Sequence, residues 1–125
     1  ADRVRYGLLA ESGAPAAIKE RVQAMGWLAA HLGVPVEDRP RFLLALLEWL
    51  GRSGSPLVVP WLEDLWLEGV AVNLPGTPST QRPNWQRPMS RLLDDVFHDP
   101  QVAVLLGHLQ QARQAAPGGP TSDHP

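Results

Sequence analysis

The run Pro56-Leu57-Val58-Val59-Pro60 constrains this chain most, because it reads as a single short strand in a sequence otherwise made of helices and loops. Consecutive apolar residues without alternation are the pattern of a parallel strand covered on both faces. Pro60 has no N–H to give to a ladder, so it belongs at the strand's exit. A lone parallel strand leaves its own backbone donors and acceptors unpaired. The segment 57–60 therefore either pairs with strands that this chain does not contain, or it is helical.

Around it the helical signals are stronger. Residues 12–33 predict one amphipathic helix, with Ser12 as cap, Pro15 in the first turn and Gly33 just past the end. Ile18, Val22, Met25, Leu28, Ala29 and Leu32 form its apolar stripe. Asp38 or Arg39 caps a second helix over 39–50, with Pro40 in its first turn; Phe42 to Leu50 leaves almost no polar face except Glu48, so this helix wants neighbours on several sides. Leu62 to Leu67 predicts a helical turn or two. Residues 70–87, with three prolines and a glycine, predict an irregular loop. Ser90 is the expected cap of a helix through Phe97, with Leu92, Leu93, Val96 and Phe97 on one face. Asp99-Pro100 starts a last helix with the stripe Val102, Leu105, Leu106 and Leu109. The segment 116–125, rich in Pro and Gly, is expected to be a disordered tail.

Composition removes several classes of function. The formal net charge is -2 and the 11 Lys and Arg residues are scattered, which argues against nucleic acid as a partner. There is no cysteine, so no disulfide framework or thiolate site exists, and a reducing, cytoplasmic setting is expected. No apolar run approaches the roughly 18 residues of a membrane span, and no membrane partner is expected. His31, His98, His108 and His124 lack metal-ligand spacing, and there is no phosphate loop or Ser nucleophile motif, so neither metal nor cofactor is expected. The opening at Ala1, without an initiator Met and with Arg3 to Leu9 reading as mid-element, is expected of a piece of a longer protein.

Three linked motifs carry the most specific information: Leu62-Glu63-Asp64-Leu65, Val72-Asn73-Leu74-Pro75-Gly76-Thr77 and Arg82-Pro83-Asn84-Trp85-Gln86-Arg87. In this order and spacing, behind an apolar strand, they resemble the closing segment of the 4-α-glucanotransferases, the amylomaltases or disproportionating enzymes. The resemblance spans Leu57 to Phe97, about the central third of the chain. It implies the last β/α portion of a TIM-type barrel, incomplete on its own: mostly α with one short strand, over residues 1–115. It implies an α-1,4-glucan (maltodextrin) substrate and the remainder of the catalytic barrel as partner. The implied chemistry is a retaining transfer of glucan segments through two carboxyl groups about 5 to 5.5 Å apart. In the family those carboxylates lie upstream, so this segment alone is expected to be inactive and no catalytic residue is nominated within it.

Two residues are nominated as substrate-binding. Asn73 follows the last strand, at the end of a barrel where active sites lie, and its amide can donate to and accept from sugar hydroxyls; the resemblance places the matching Asn in the glucan cleft. An Asn before Pro-Gly can also close an Asx turn. Trp85 can stack on a pyranose or plug the loop against the body of the protein. Pro75 and Gly76 suit the central positions of a type II turn. Asn84 is expected to serve the backbone, and Trp27, Trp49, Trp61 and Trp66 to pack between elements. Glu48, Glu63, Asp64, Asp94 and Asp95 read as capping or solvated charge. The alternative to an enzyme segment is a non-catalytic small helical module that docks on a partner or binds glucan.

Overall fold

The computed structural model describes residues 2–116, and the expected tail lies, beyond Ala116, outside the described residues. Helices make up most of the structure: α1 (Asp2–Arg5), α2 (Ala14–Leu32), α3 (Arg39–Gly51), α4 (Leu93–Phe97) and α5 (Pro100–Gln114). Short 3-10 turns cover Glu11–Gly13 and Leu62–Trp66, the latter where a helical turn was expected.

The ends of the two central helices follow from their sequences. Asp38 accepts a hydrogen bond from the Arg41 amide at 3.4 Å and Asp99 accepts one from the Gln101 amide at 2.7 Å, each ahead of a proline in the first turn. Helix α2 stops at Gly33, whose φ of 67° is the left-handed cap conformation that glycine adopts without strain. Ser12 does not cap α2. It lies within the 3-10 turn, and Gly13 occupies the cap position without a side chain to offer.

Helices α3 and α5 lie side by side and run in the same direction. Pro40 and Arg41 at the start of one and Pro100 and Gln101 at the start of the other border a single apolar cleft of about 620 Å³. Further along, the Glu48 carboxylate meets the His108 ring at 2.6 Å. At the far end Gly51 is packed so closely that a Cβ built there would lie 2.8 Å from Ala112 Cβ and 3.1 Å from the Leu109 carbonyl. The core sits in this seam: Leu43 and Leu47 of α3, Val102, Leu105 and Leu109 of α5, Leu65 of the 3-10 turn and Val96 of α4.

The expected strand at 57–60 is not formed, and no strand occurs among the described residues. The physical reason is the one raised by the sequence: no second extended segment is there to pair with it. The run is an unpaired extended segment, and side chains meet the carbonyls only at its start. Arg113 donates to the Ser55 and Pro56 carbonyls at 3.3 and 3.0 Å, and Ser55 Oγ donates to the Leu57 carbonyl at 2.8 Å. Val58 packs on the core, whereas Leu57 and Val59 are 71% and 75% exposed. The segment leaves the end of α3 beside the last turn of α5 and returns toward the starts of both helices, where Leu65 and Leu67 line the apolar cleft.

Expectations about packing and capping are corrected at four places. Helix α2 buries no residue; Ile18 and Val22 are exposed, and only the later part of the stripe (Met25, Leu28, Ala29, Leu32) is half-buried. Ser90 does not cap α4, because its hydroxyl is committed to Glu68; the helix begins at Leu93. Of the face Leu92, Leu93, Val96 and Phe97, only Val96 is buried, since a five-residue helix presents about one turn's worth of contact to α5. Leu106 of the α5 stripe is likewise exposed.

Candidate functional site

The loop 70–87 is held by its own second half. Arg87 donates to the Val70 carbonyl at 2.7 Å, Arg82 donates to the Ala71 carbonyl, and the Trp85 amide donates to the Val72 carbonyl at 3.0 Å. The fourth tie is Asn84: its Oδ1 accepts from the Leu74 amide at 3.0 Å while its Nδ2 donates to the Thr77 carbonyl and hydroxyl, both at 2.8 Å. The Asn84 bonds are partly buried, so water competes poorly for them, whereas the Arg82 and Arg87 bonds lie at the surface. The expected role of Asn84 as a backbone partner is what the structure has.

Between Leu74 and Thr77 the chain makes the expected type II turn. The Thr77 amide donates to the Leu74 carbonyl at 3.2 Å, and Gly76 has a φ of 90°. Thr77 Oγ1 adds a bond to the same carbonyl at 2.7 Å. Gly76 also faces Leu8, whose Cδ2 would lie 3.0 Å from a Cβ at that position. The turn is thus closed by Thr77 and Asn84, and the Asn73 carboxamide takes part in none of these bonds.

Asn73 and Trp85, the two nominated residues, line one open cleft of about 570 Å³. Trp61 at the exit of the extended run, Glu63 and Asp64 of the following turn, Glu68 just past it and Arg21 of α2 also line it. Trp61 and Trp85 pack against each other, ring centroids 5.4 Å apart and planes inclined by 47°. Both keep open surface, at 47% and 62% exposure. Trp85 has a φ of 60°, a left-handed conformation that strains a bulky residue and that the Val72 tie helps to hold.

The sequence placed Trp61 with the packing tryptophans; it does pack, against Trp85, and its place in the cleft was not foreseen. The signal that could have found it is its place directly after Pro60, where the chain leaves the apolar run. Of that group Trp66 is half-buried on the core, with its Nε1 donating to Ser90 Oγ at 3.3 Å and the Arg91 guanidinium over its ring. Trp49 keeps open surface but packs between elements, meeting His31 of α2 edge-on, whereas Trp27 is exposed and stacks on His31 within its own helix.

The carboxylates do different work. Glu68 accepts from Ser90 Oγ and from the Val70 amide and lies 3.8 Å from Arg87, and these contacts, the Ser90 bond first, hold its carboxyl below the ordinary 4.5. Asp99 is held below 3.8 chiefly by its hydrogen bond to Arg91, at 2.6 Å. Both are structural anions. No group of His, Asp and Glu able to hold a metal ion occurs among the described residues. Among them, too, no helix is long and apolar enough to cross a membrane.

Acid sensitivity follows from these two carboxylates. Each has a native pKa below its unfolded value, so the stability it contributes is fully present above the ordinary 4.5 and 3.8 and is lost as pH falls through the lowered native values. Thermal melts followed by circular dichroism should hold a steady midpoint from neutrality down to about pH 5 and fall below it. Glu68→Gln should flatten part of that fall; an unchanged acid limb in the variant would mean that the Ser90 and Val70 contacts do not act on folding.

No family model matches this chain, and no solved structure matches it.

Proposed function

We propose that this chain is the closing portion of a cytoplasmic 4-α-glucanotransferase barrel, supplying cleft residues for a retaining transfer of α-1,4-glucan segments between maltodextrins. The observation that carries the reading is that Asn73 and Trp85, drawn from two separate motifs, line one cleft, with the Asn73 carboxamide uncommitted to the turn beside it. An amide with both donor and acceptor capacity beside an exposed indole is what a pyranose needs: hydroxyls to bond at its rim, an apolar face to stack.

The layout around the cleft supports the same reading. An extended segment with open backbone edges runs opposite to two parallel helices, the relation a strand has to its flanking helices in a β/α barrel. The cleft lies where that segment ends, which is the side on which barrel enzymes gather their binding loops. The two carboxylates of the transfer reaction belong to the remainder of the barrel, so this chain contributes recognition and not bond cleavage. A non-catalytic docking module is the competing reading, and exposed Ile18 and Val22 on α2 favour it.

Titration of the chain with maltoheptaose, followed by tryptophan fluorescence, separates the two. The glucan reading expects a saturable change, weakened about two- to tenfold in Asn73→Ala, the worth of one hydrogen bond. It also expects no new oligosaccharides from maltotriose. A flat titration at millimolar sugar would remove the glucan reading and leave the docking module.

A further inference from the structure

The geometry points to Trp61 as a second stacking surface that, with Trp85, makes the cleft selective for a bent glucan over a flat one. This inference rests on the glucan reading above and adds to it the residue and the shape that would set linkage preference.

Three observations meet at this pair. Trp61 and Trp85 come from opposite sides of the loop, 24 positions apart in sequence, yet their rings touch at 5.4 Å between centroids. Each keeps about half of its surface open and each lines the same cleft as Asn73. Their planes are inclined by 47°, so they form a wedge and not a continuous flat plate.

The inclination matters because of how glucans differ. In a β-1,4-linked glucan successive pyranose faces lie in nearly parallel planes, and coplanar indoles suit such a ribbon. In an α-1,4-linked glucan each ring is turned relative to the next, and two indoles set at an angle can each take one face. The wedge is also fixed in place. Trp85 is held in a left-handed backbone conformation by the Val72 bond and by the Asn84 ties next to it, and Trp61 leads into the 3-10 turn whose Leu65 is anchored in the core. A pre-set pair loses little conformational freedom when a sugar arrives.

Calorimetric titration of the full chain with maltoheptaose and with cellohexaose tests this, using Trp61→Ala, Trp61→Phe and, as a control outside the cleft, Trp27→Ala. The expected result is a wild-type preference for maltoheptaose of about tenfold or more, a loss of about tenfold in Trp61→Ala, and a smaller loss in Trp61→Phe, which keeps an aromatic face. Trp27→Ala should bind as wild type does. Equal affinity for the two sugars in the wild-type chain overturns the wedge, whatever the variants do. So does maltoheptaose binding that is unchanged in a Trp61→Ala protein with a wild-type melting curve, and in that case the glucan reading stands. Binding of neither sugar by the wild-type chain removes the glucan reading itself, and the wedge with it.

Discussion

Replacing Leu47 by Ala should lower the free energy of unfolding by about 2–5 kcal/mol, the range for truncating a buried leucine. Leu47 is 3% exposed and stands in the seam between α3 and α5 with Leu43, Leu105 and Leu109. The loss combines the transfer of the missing methyl groups with the cavity left behind, and two helices already in contact at Gly51 have little room to close over it. Set against a typical domain stability of about 5–15 kcal/mol, this is a large share of the folding margin. Urea denaturation should show the midpoint falling by about 1–3 M. Leu57→Ala is the matching control: with most of that side chain in solvent, its midpoint should move by no more than about 0.5 kcal/mol in equivalent stability. Equal losses in the two variants would mean that the core does not lie along this seam.

Gly51→Leu should destabilise by about 2–3 kcal/mol, through overpacking and not through a cavity. A side chain there meets Ala112 and the Leu109 backbone, and a backbone oxygen cannot swing aside as the end of a long side chain can. Gly51 is the last residue of α3, and its lack of a Cβ is what admits the close approach of α5. The same denaturation experiment reads the effect. A Gly51→Leu protein with the wild-type midpoint would show that α3 and α5 are not in contact at this end, and the parallel arrangement of the two helices would have to be abandoned.

How much of this was legible beforehand depended on whether a signal was local. Asp38 with Pro40, Asp99 with Pro100, and Gly33 each announce a helix end through chemistry confined to a few residues, and each end lies where expected. The Pro75-Gly76 turn was readable for the same reason, since proline and glycine set their own dihedral angles. Ser90 was misread because a serine can cap a helix or bond elsewhere, and its choice depended on Glu68, 22 residues away. Ile18 and Val22 carry a clear apolar period, but a period says which side wants cover and not whether a neighbour is there to give it.

The site divides in the same way. Asn73 and Trp85 were reachable through the motifs, and Asn84 through its fit to backbone service. Their gathering into one cleft was not, because it depends on ties between residues up to 17 apart, such as Arg87 to Val70. Trp61 was assigned to packing because burial of an indole is the common outcome. The extended run was the hardest case: its composition asks for lateral pairing, and a single chain with one such run has nothing to answer with.

The ties from Asn84 and its neighbours have a consequence for how this surface could vary. They fasten residues 70–77 to residues 82–87, while Pro78 to Gln81 form a separate small bend closed by the Pro78 carbonyl and the Gln81 amide at 3.0 Å. That tip stands outside the fastening, so its four positions can be respelled, lengthened or shortened while the sides of the groove keep their spacing.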